Sequence, residues 1–278
     1  MIITKELIEK FKFYLIEEEK SYATLEKYIR DVTAFSVWIS GAALDKLTVL
    51  RYKEYLTSKY APASVNSVLS SLNSFFDYNE WYVLKVKMLK IQKRIFAEQS
   101  KELTKSEYER LLITAKHRKN ERLYYLMQTI CSSGIRVSEL SAITLEAIKA
   151  QKATISCKGK MRVIILPKEL CQMLIQYAKR QKITSGPVFI TKTGKPLDRS
   201  AIWKMMKSLC RDAGVDKSKV FPHNLRHLFA RTYYSIQKDI VRLADILGHS
   251  SINTTRIYTM ETGEIHRRQI QKLGLLRV

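Results

Sequence analysis

Apolar residues recur at spacings of three and four along most of this chain, and that period is interrupted by two short β-rich runs, Ala153 to Cys157 and Val163 to Leu166. A 3.6-residue period commits a segment to an amphipathic helix, whereas a short β-branched run bounded by turn residues reads as a strand. The expected fold class is therefore mainly α with a small β-hairpin. In the first part, Leu7, Ile8, Phe11, Tyr14 and Leu15 mark one helix. A second is expected after Ser21, carrying Leu25, Tyr28, Ile29, Val32, Phe35 and Trp38 to a stop at Gly41. Thr48 is the expected cap of a third helix ending near Tyr60, and Ser64 that of a fourth through Val68, Leu69, Leu72, Phe75 and Phe76.

The stretch from Lys85 to Lys101 alternates basic and apolar residues, so it reads either as a strap on a phosphate backbone or as a solvated connector. Thr104 followed by Glu107 has capping-box spacing and opens a helix through Tyr108, Leu111, Leu112 and Ala115. This organisation predicts a helical domain over 1–84, a basic linker over 85–101 and a second, α+β domain over 102–278. Two domains also suit a chain of 278 residues. Within the second, helical periodicity runs from Arg122 to Ser132 and again from Val137, the KGKMR segment forms the hairpin tip, and Pro187 to Thr191 reads as a further strand.

A formal charge of +23 implies a polyanionic partner. Its distribution is uneven: residues 1–98 carry 15 Lys and Arg against 12 Asp and Glu, residues 99–278 carry 34 against 14. The second domain is expected to hold the polyanion more tightly. A membrane surface is disfavoured because no apolar run approaches the ~18 residues of a spanning helix, and MIITKELIEK lacks a signal-peptide core. The expectation is a soluble, cytoplasmic protein. Cys131, Cys157, Cys171 and Cys210 lack paired zinc-ligand spacing, so neither disulfide nor metal is expected.

Cleaving a nucleic-acid phosphodiester while conserving bond energy needs a nucleophile, cations on the non-bridging oxygens and an acid for the leaving oxygen. GIRVSEL places Arg136 between a helix end and the next helix start, where a guanidinium can grip phosphate bidentately; Glu139 either orients it or is a solvated first-turn acid. CKGKMR carries Lys158, Lys160 and Arg162 on a turn, suited to backbone contact and to general-acid work by one lysine. In PHNLRH, His223 and Arg226 share a helical face with His227 beside them. LGHSSINTTRIYT puts His249 after a glycine helix stop and Tyr258 nine residues later. Each segment has an ordinary reading when taken singly: a surface arginine, a soluble turn, a buried histidine, one packing tyrosine among 15. The absence of a clear carboxylate cluster favours transesterification without metal or other cofactor.

Taken in order, GIRVSEL, the Gly159–Lys160 pair preceded by Lys158, HNLRH, LGHSS and the following Tyr258 resemble the tyrosine recombinase family of phage integrases, in its short Xer-like form. SYATLEKYIRDVTAFSVWI and ASVNSVLSSLNSFF likewise resemble that family's helical core-binding domain. The resemblance implies a four-helix core-binding domain followed by a catalytic domain. It implies that Arg136 and Arg226 grip phosphate, with His223 the histidine of the HxxR motif. It makes His249 the second phosphate-binding histidine, Lys158 the catalytic lysine and Tyr258 the nucleophile, with Lys160 an alternative for the lysine role. The departures are Cys157, where glycine is frequent, and Asn224, where aspartate is frequent.

The implied reaction joins Tyr258 to a 3′-phosphate and frees a 5′-hydroxyl for attack on a partner strand. The implied partners are double-stranded DNA with specific recombination sites, three further copies of the chain in a tetramer on two duplexes, and accessory proteins. The C-terminal Ile265, Ile270, Leu273, Leu275 and Leu276 either fill a neighbour's groove or pack on their own subunit. A type IB topoisomerase shares this chemistry but acts on one duplex. A binding protein that has lost catalysis would keep the charge without the whole constellation.

Overall fold

The computed structural model describes residues 1–40, 44–91, 99–157, 160–191, 193–258, 270–273 and 275, with the backbone alone for residues 99, 157 and 160. The chain divides into two compact units, Met1–Lys93 and Arg94–Val278.

The first unit is built on α1 (Lys5–Glu17), α2 (Tyr22–Ile39), α3 (Lys46–Lys59) and α4 (Pro62–Tyr78). Their apolar faces close on Phe11, Phe35, Leu69, Leu72, Phe75 and Phe76, all fully buried, with the Phe11 and Phe75 rings edge to face at 5.2 Å. Two helix starts differ from expectation. Asp45, not Thr48, caps α3: its Oδ1 accepts from the Thr48 amide at 2.7 Å and from the Thr48 hydroxyl at 2.8 Å, because a carboxylate is the stronger acceptor for an unpaired first-turn N–H. α4 starts at Pro62 rather than after Ser64, since proline's fixed φ is preset for a helix's first turn. The end of α2 comes at Ser40, left-handed at φ 51°; the expected stop, Gly41, lies outside the described residues.

Residues 85–89, within the stretch expected as a connector, are held against α3 and α4 by side chains. Asn73 pairs with both backbone groups of Val86 (2.9 and 3.1 Å), and Asn66 does the same with Leu89 (2.9 and 2.7 Å). Each carboxamide thus supplies the donor and acceptor that a neighbouring strand would otherwise provide.

The second unit opens with α5 (Lys105–His117), whose Thr104–Glu107 capping box is complete, with bonds of 3.2 and 2.8 Å. There follow α6 (Glu121–Ser133), α7 (Leu145–Lys149), β1 (Lys152–Cys157), β2 (Lys160–Ile165), α8 (Lys168–Arg180), α9 (Arg199–Ala213), α10 (Pro222–Gln237), α11 (Ile240–Leu247) and α12 (Ile252–Thr255). α6 and α10 pack together in a core that includes Leu126, Ile130, Ile135, Leu174, Met206 and Leu225.

Three local expectations give way. The helix expected from Val137 is a 3-10 turn, Val137–Ala142, followed by the short α7. Pro187 to Thr191 joins no ladder, making only isolated bridges of Pro187 to Thr144 and Ile190 to Pro196; proline lacks the amide a ladder requires. And β2 begins at Lys160 rather than Val163, so Arg162 is a strand residue paired with Ile155 and not part of the tip. The chain is mainly helical, with one small antiparallel sheet among the described residues. No helix among the described residues is long and apolar enough to cross a membrane.

Candidate active site

The second unit brings Arg136, His223, Arg226, His249 and Tyr258 to one end of α10 and α11. Its organising centre is the C-terminus of α11. That helix ends at Gly248, left-handed at φ 62°, and exposes carbonyls without helical partners, the negative end of the helix dipole. Three guanidiniums converge on them. Arg226 Nη2 donates to the Leu247 carbonyl at 2.7 Å, Arg136 Nη2 to the Gly248 carbonyl at 3.1 Å, and Arg162 Nη1 to the carbonyls of Ile246 (3.4 Å) and Leu247.

Arg226 lies on the first turns of α10, which starts at Pro222. It is only 2% exposed, and its Nη1 donates to the carbonyl of Gly134, the left-handed C-cap of α6. Gly134 cannot be replaced cheaply: at φ 64° a Cβ there would stand 2.6 Å from the Phe229 ring. Burial, followed by the charge of Arg136, lowers the Arg226 pKa to about 10, while the nearby Tyr258 phenol acts the other way.

Arg136 leads into the 3-10 turn after α6 and is the more exposed cation. Its Nη1 donates to Glu139 Oε1 at 2.9 Å, and its amide to Glu139 Oε2 at 2.9 Å. Of the two readings of Glu139, the orienting one holds. The same Oε2 accepts from Arg162 Nη2 at 2.5 Å, so one buried carboxylate separates two cations.

The aromatic side of the site follows from α10 and α12. Tyr258 ends the 3-10 turn Arg256–Tyr258 and is buried, 4% exposed. The His227 ring meets it edge to face at 4.7 Å, and the His249 ring stacks beside it at 6.0 Å and 18°. His223, exposed at the rim, sits edge to face with His227 at 4.4 Å. His249 Nδ1 is 2.8 Å from the Thr255 hydroxyl and its Nε2 is 3.2 Å from Arg226 Nη2.

All three imidazoles are held below their ordinary pKa, first by withdrawal from water and then by neighbouring charge. His249 falls to about 4 under Arg226, Arg136 and Arg162; His227 falls to about 3 beside His223, Arg231 and Arg226; His223 is lowered by Arg226, Arg136 and Arg199. The site is thus a set of fixed cations and neutral imidazoles around a phenol, a composition suited to a doubly esterified phosphate.

A family model described as the phage integrase family matches residues 101–264, and one described as the phage integrase N-terminal SAM-like domain matches residues 8–82. The chain belongs to the phage integrase family. It is similar to the tyrosine recombinase XerA of Pyrococcus furiosus, 30% identical over 99% of this chain and 96% of that protein. The tyrosine recombinase XerD of Halalkalibacterium halodurans is 27% identical, covering 94% of each. Among solved structures, that of XerA recombinase is matched at 25% identity with a TM-score of 0.53, over 99% of this chain and 100% of that one. A lambda integrase dimer bound to a COC′ core site is matched in fold, with a TM-score of 0.77 at 16% identity over 95% and 97% of the two chains. The activity class of this integrase-family chain is site-specific DNA recombination by a tyrosine recombinase.

Five of the six sequence-derived site residues of this tyrosine recombinase therefore sit together. The sixth, Lys158, lies outside the described residues, and Lys160 is described only as the backbone that opens β2. Arg162 was expected on the hairpin tip and instead enters the site from the core-facing register of β2. Thr255 had no signal in the sequence, since a hydroxyl three residues before a tyrosine has no distinctive pattern. The bracketing of Tyr258 by His227 depends on how α10 and the last 3-10 turn cross.

Proposed function

We propose that Tyr258 is the nucleophile of strand cleavage, attacking a scissile DNA phosphate held by Arg136, Arg226 and His249, with His223 at the rim. The Tyr258 oxygen gives its proton to a neighbouring neutral imidazole and forms a bond to phosphorus as the bond to the 5′-oxygen breaks, leaving a 3′-phosphotyrosyl link. The departing 5′-oxygen takes a proton from Lys158, with Lys160 the alternative donor. Rejoining reverses these steps with a 5′-hydroxyl from the partner strand, so no external energy source is needed.

The observation that carries the reading is the contact chain Arg226–His249–Tyr258: a buried guanidinium touches an imidazole at 3.2 Å, and that imidazole stacks on the only tyrosine in the cluster of cations among the described residues. A buried guanidinium next to a phenol stabilises both the phosphate oxygens and the developing phenolate, and the neutral imidazole between them fixes their spacing. Tyr258 is 4% exposed, and on this reading the last 3-10 turn shifts to present it when DNA is bound.

On the same reading, residues 1–84 act as a core-binding domain, 85–101 as the basic connector, and 102–278 as the catalytic domain with a C-terminal segment for assembly. The partners are double-stranded DNA with paired recombination sites and three further copies of the chain, with accessory proteins directing the outcome, in the cytoplasm. The excess of basic over acidic residues, concentrated after residue 98, supports a DNA partner.

The test begins with genomic DNA fragments selected by the wild-type protein from its own genome. A duplex carrying the selected site and a nick beside the scissile position is expected to trap a detergent-resistant protein–DNA adduct with wild type and none with Tyr258→Phe. An adduct that survives the substitution overturns the assignment. Two such sites on one plasmid are expected to give recombinant products, whereas relaxation alone would point to a topoisomerase.

A further inference from the structure

We infer that Arg162 is a positioning residue for cleavage, the strut that holds Arg136 and the His249 turn in register, an inference that rests on the phosphate-gripping roles proposed for Arg136, Arg226 and His249.

β2 carries a charge in its inward-facing row. In a two-stranded sheet with one face on the core, apolar residues belong inward and charges outward. β2 does the opposite at its centre: Met161, Val163 and Ile165 are 75%, 55% and 79% exposed, while the Arg162 side chain points inward with 13% exposure. Burying a guanidinium and exposing three apolar side chains works against folding. Departures of this kind from local consistency concentrate where function requires them.

What Arg162 reaches explains the requirement. One arm of its planar fork meets Glu139 Oε2 at 2.5 Å, and Glu139 in turn fixes both the amide and the guanidinium of Arg136. The other arm meets the carbonyls of Ile246 and Leu247 at the end of α11, directly before Gly248 and His249. Its aliphatic stem lies against Gly248 so closely that a Cβ there would collide with it. One side chain therefore ties the hairpin strand, the Arg136 turn and the His249 turn together. A lysine is a point donor and cannot span both acceptor sets; a guanidinium can.

The proposed consequence is that Arg162 contributes through the geometry of the phosphate grip and not through DNA affinity. Full-length Arg162→Ala and Arg162→Lys are compared with wild type on the nicked, genome-selected duplex. Arg162→Ala is expected to form the covalent adduct ~100-fold more slowly at saturating DNA, as a displaced catalytic group does, with DNA affinity and thermal midpoint near wild type, and Arg162→Lys to fall between.

The decisive arm replaces the scissile phosphate by an uncharged methylphosphonate, which removes the anion that Arg136 and Arg226 are held to grip. The deficit of Arg162→Ala is expected to shrink by at least ~10-fold on that substrate, as expected when a preorganised charge contact is no longer needed. Wild-type cleavage rates in Arg162→Ala, or an equal deficit on both substrates, overturn the inference; the second result would mark Arg162 as a general scaffold residue. Should Arg162→Ala fail to fold, Arg162→Lys is read on the same two substrates. Failure of wild type itself to form the adduct counts against the Tyr258 assignment and is distinguishable from either result.

Discussion

Arg226 Nη2 lies 3.2 Å from His249 Nε2, and because a guanidinium carries only donors, the histidine nitrogen facing it must be the acceptor. His249 is then neutral with its proton on Nδ1, donated to the Thr255 hydroxyl at 2.8 Å. This agrees with its lowered pKa of about 4. In the DNA-free protein, the Nε2 proton that would serve a phosphate oxygen is absent. Imidazole nitrogen chemical shifts are expected to report the Nδ1–H tautomer for His249 at pH 7, and an Nε2–H or doubly protonated ring once DNA binds. A free protein already in the Nε2–H form would contradict the arrangement.

The same burial has a stability consequence. An unfolded histidine titrates at ~6.5, whereas folded His249 and His227 titrate at about 4 and about 3, and His223 is also lowered. Between these values the unfolded chain binds protons that the folded chain refuses, so folding stability falls as pH drops below ~6.5 and is fully present above it. Denaturant midpoints at pH 8, 6.5 and 5 are expected to follow that course, with a shallower loss in His249→Asn. An unchanged slope in the variant would exclude His249 as a contributor.

Glu139 neutralises two guanidiniums at once, so Glu139→Gln and Arg162→Ala disrupt one network. A double-mutant cycle on adduct formation is expected to show a coupling of about 0.5–3 kcal/mol. Additive effects would mean that the two side chains act separately.

Gly248 is constrained twice, by a left-handed backbone and by the Arg162 stem across its missing Cβ. Gly248→Ala is expected to cost about 1–2 kcal/mol from backbone handedness alone, read by urea denaturation. Cleavage is expected to fall more steeply than stability, because relief of the clash moves Arg162. A variant with wild-type cleavage would show that the contact is dispensable.

Asn224 stands where aspartate is frequent in the family, and its surroundings account for the amide. The buried Nδ2 donates to the carbonyls of Lys101 (2.9 Å) and Lys219 (2.8 Å). Asn224→Asp faces a carboxylate with two carbonyl oxygens, and a loss of about 1–3 kcal/mol is expected from the unmet acceptors, measured as a lowered denaturation midpoint. No loss would mean that the two carbonyls find other donors.

The helices of this protein were legible because each carries its own periodic apolar face and, in several cases, its own stop or cap: Thr104 with Glu107, Gly248 after Leu247. The cap of α3 is not legible in the sequence, because Thr48 and Asp45 are both good capping residues. Only the backbone position that the helix adopts selects between them. The hairpin was legible as two strands, but its register was not: shifting the start of β2 from Val163 to Lys160 moves Arg162 from a turn into the core-facing row.

The sequence by itself determined the helical class and the charge that calls for a polyanion, and it singled out Arg136, His223, Arg226, His249 and Tyr258 as candidates for one site. Those are properties of residue type and local spacing, which survive without knowledge of what packs on what. Only the tertiary structure decided that the end of α11 gathers Arg136, Arg162 and Arg226, that Glu139 serves two of them, and that the His249 Nε2 faces Arg226. These depend on contacts between segments distant in the chain, where strand register and helix crossing fix which donor meets which acceptor.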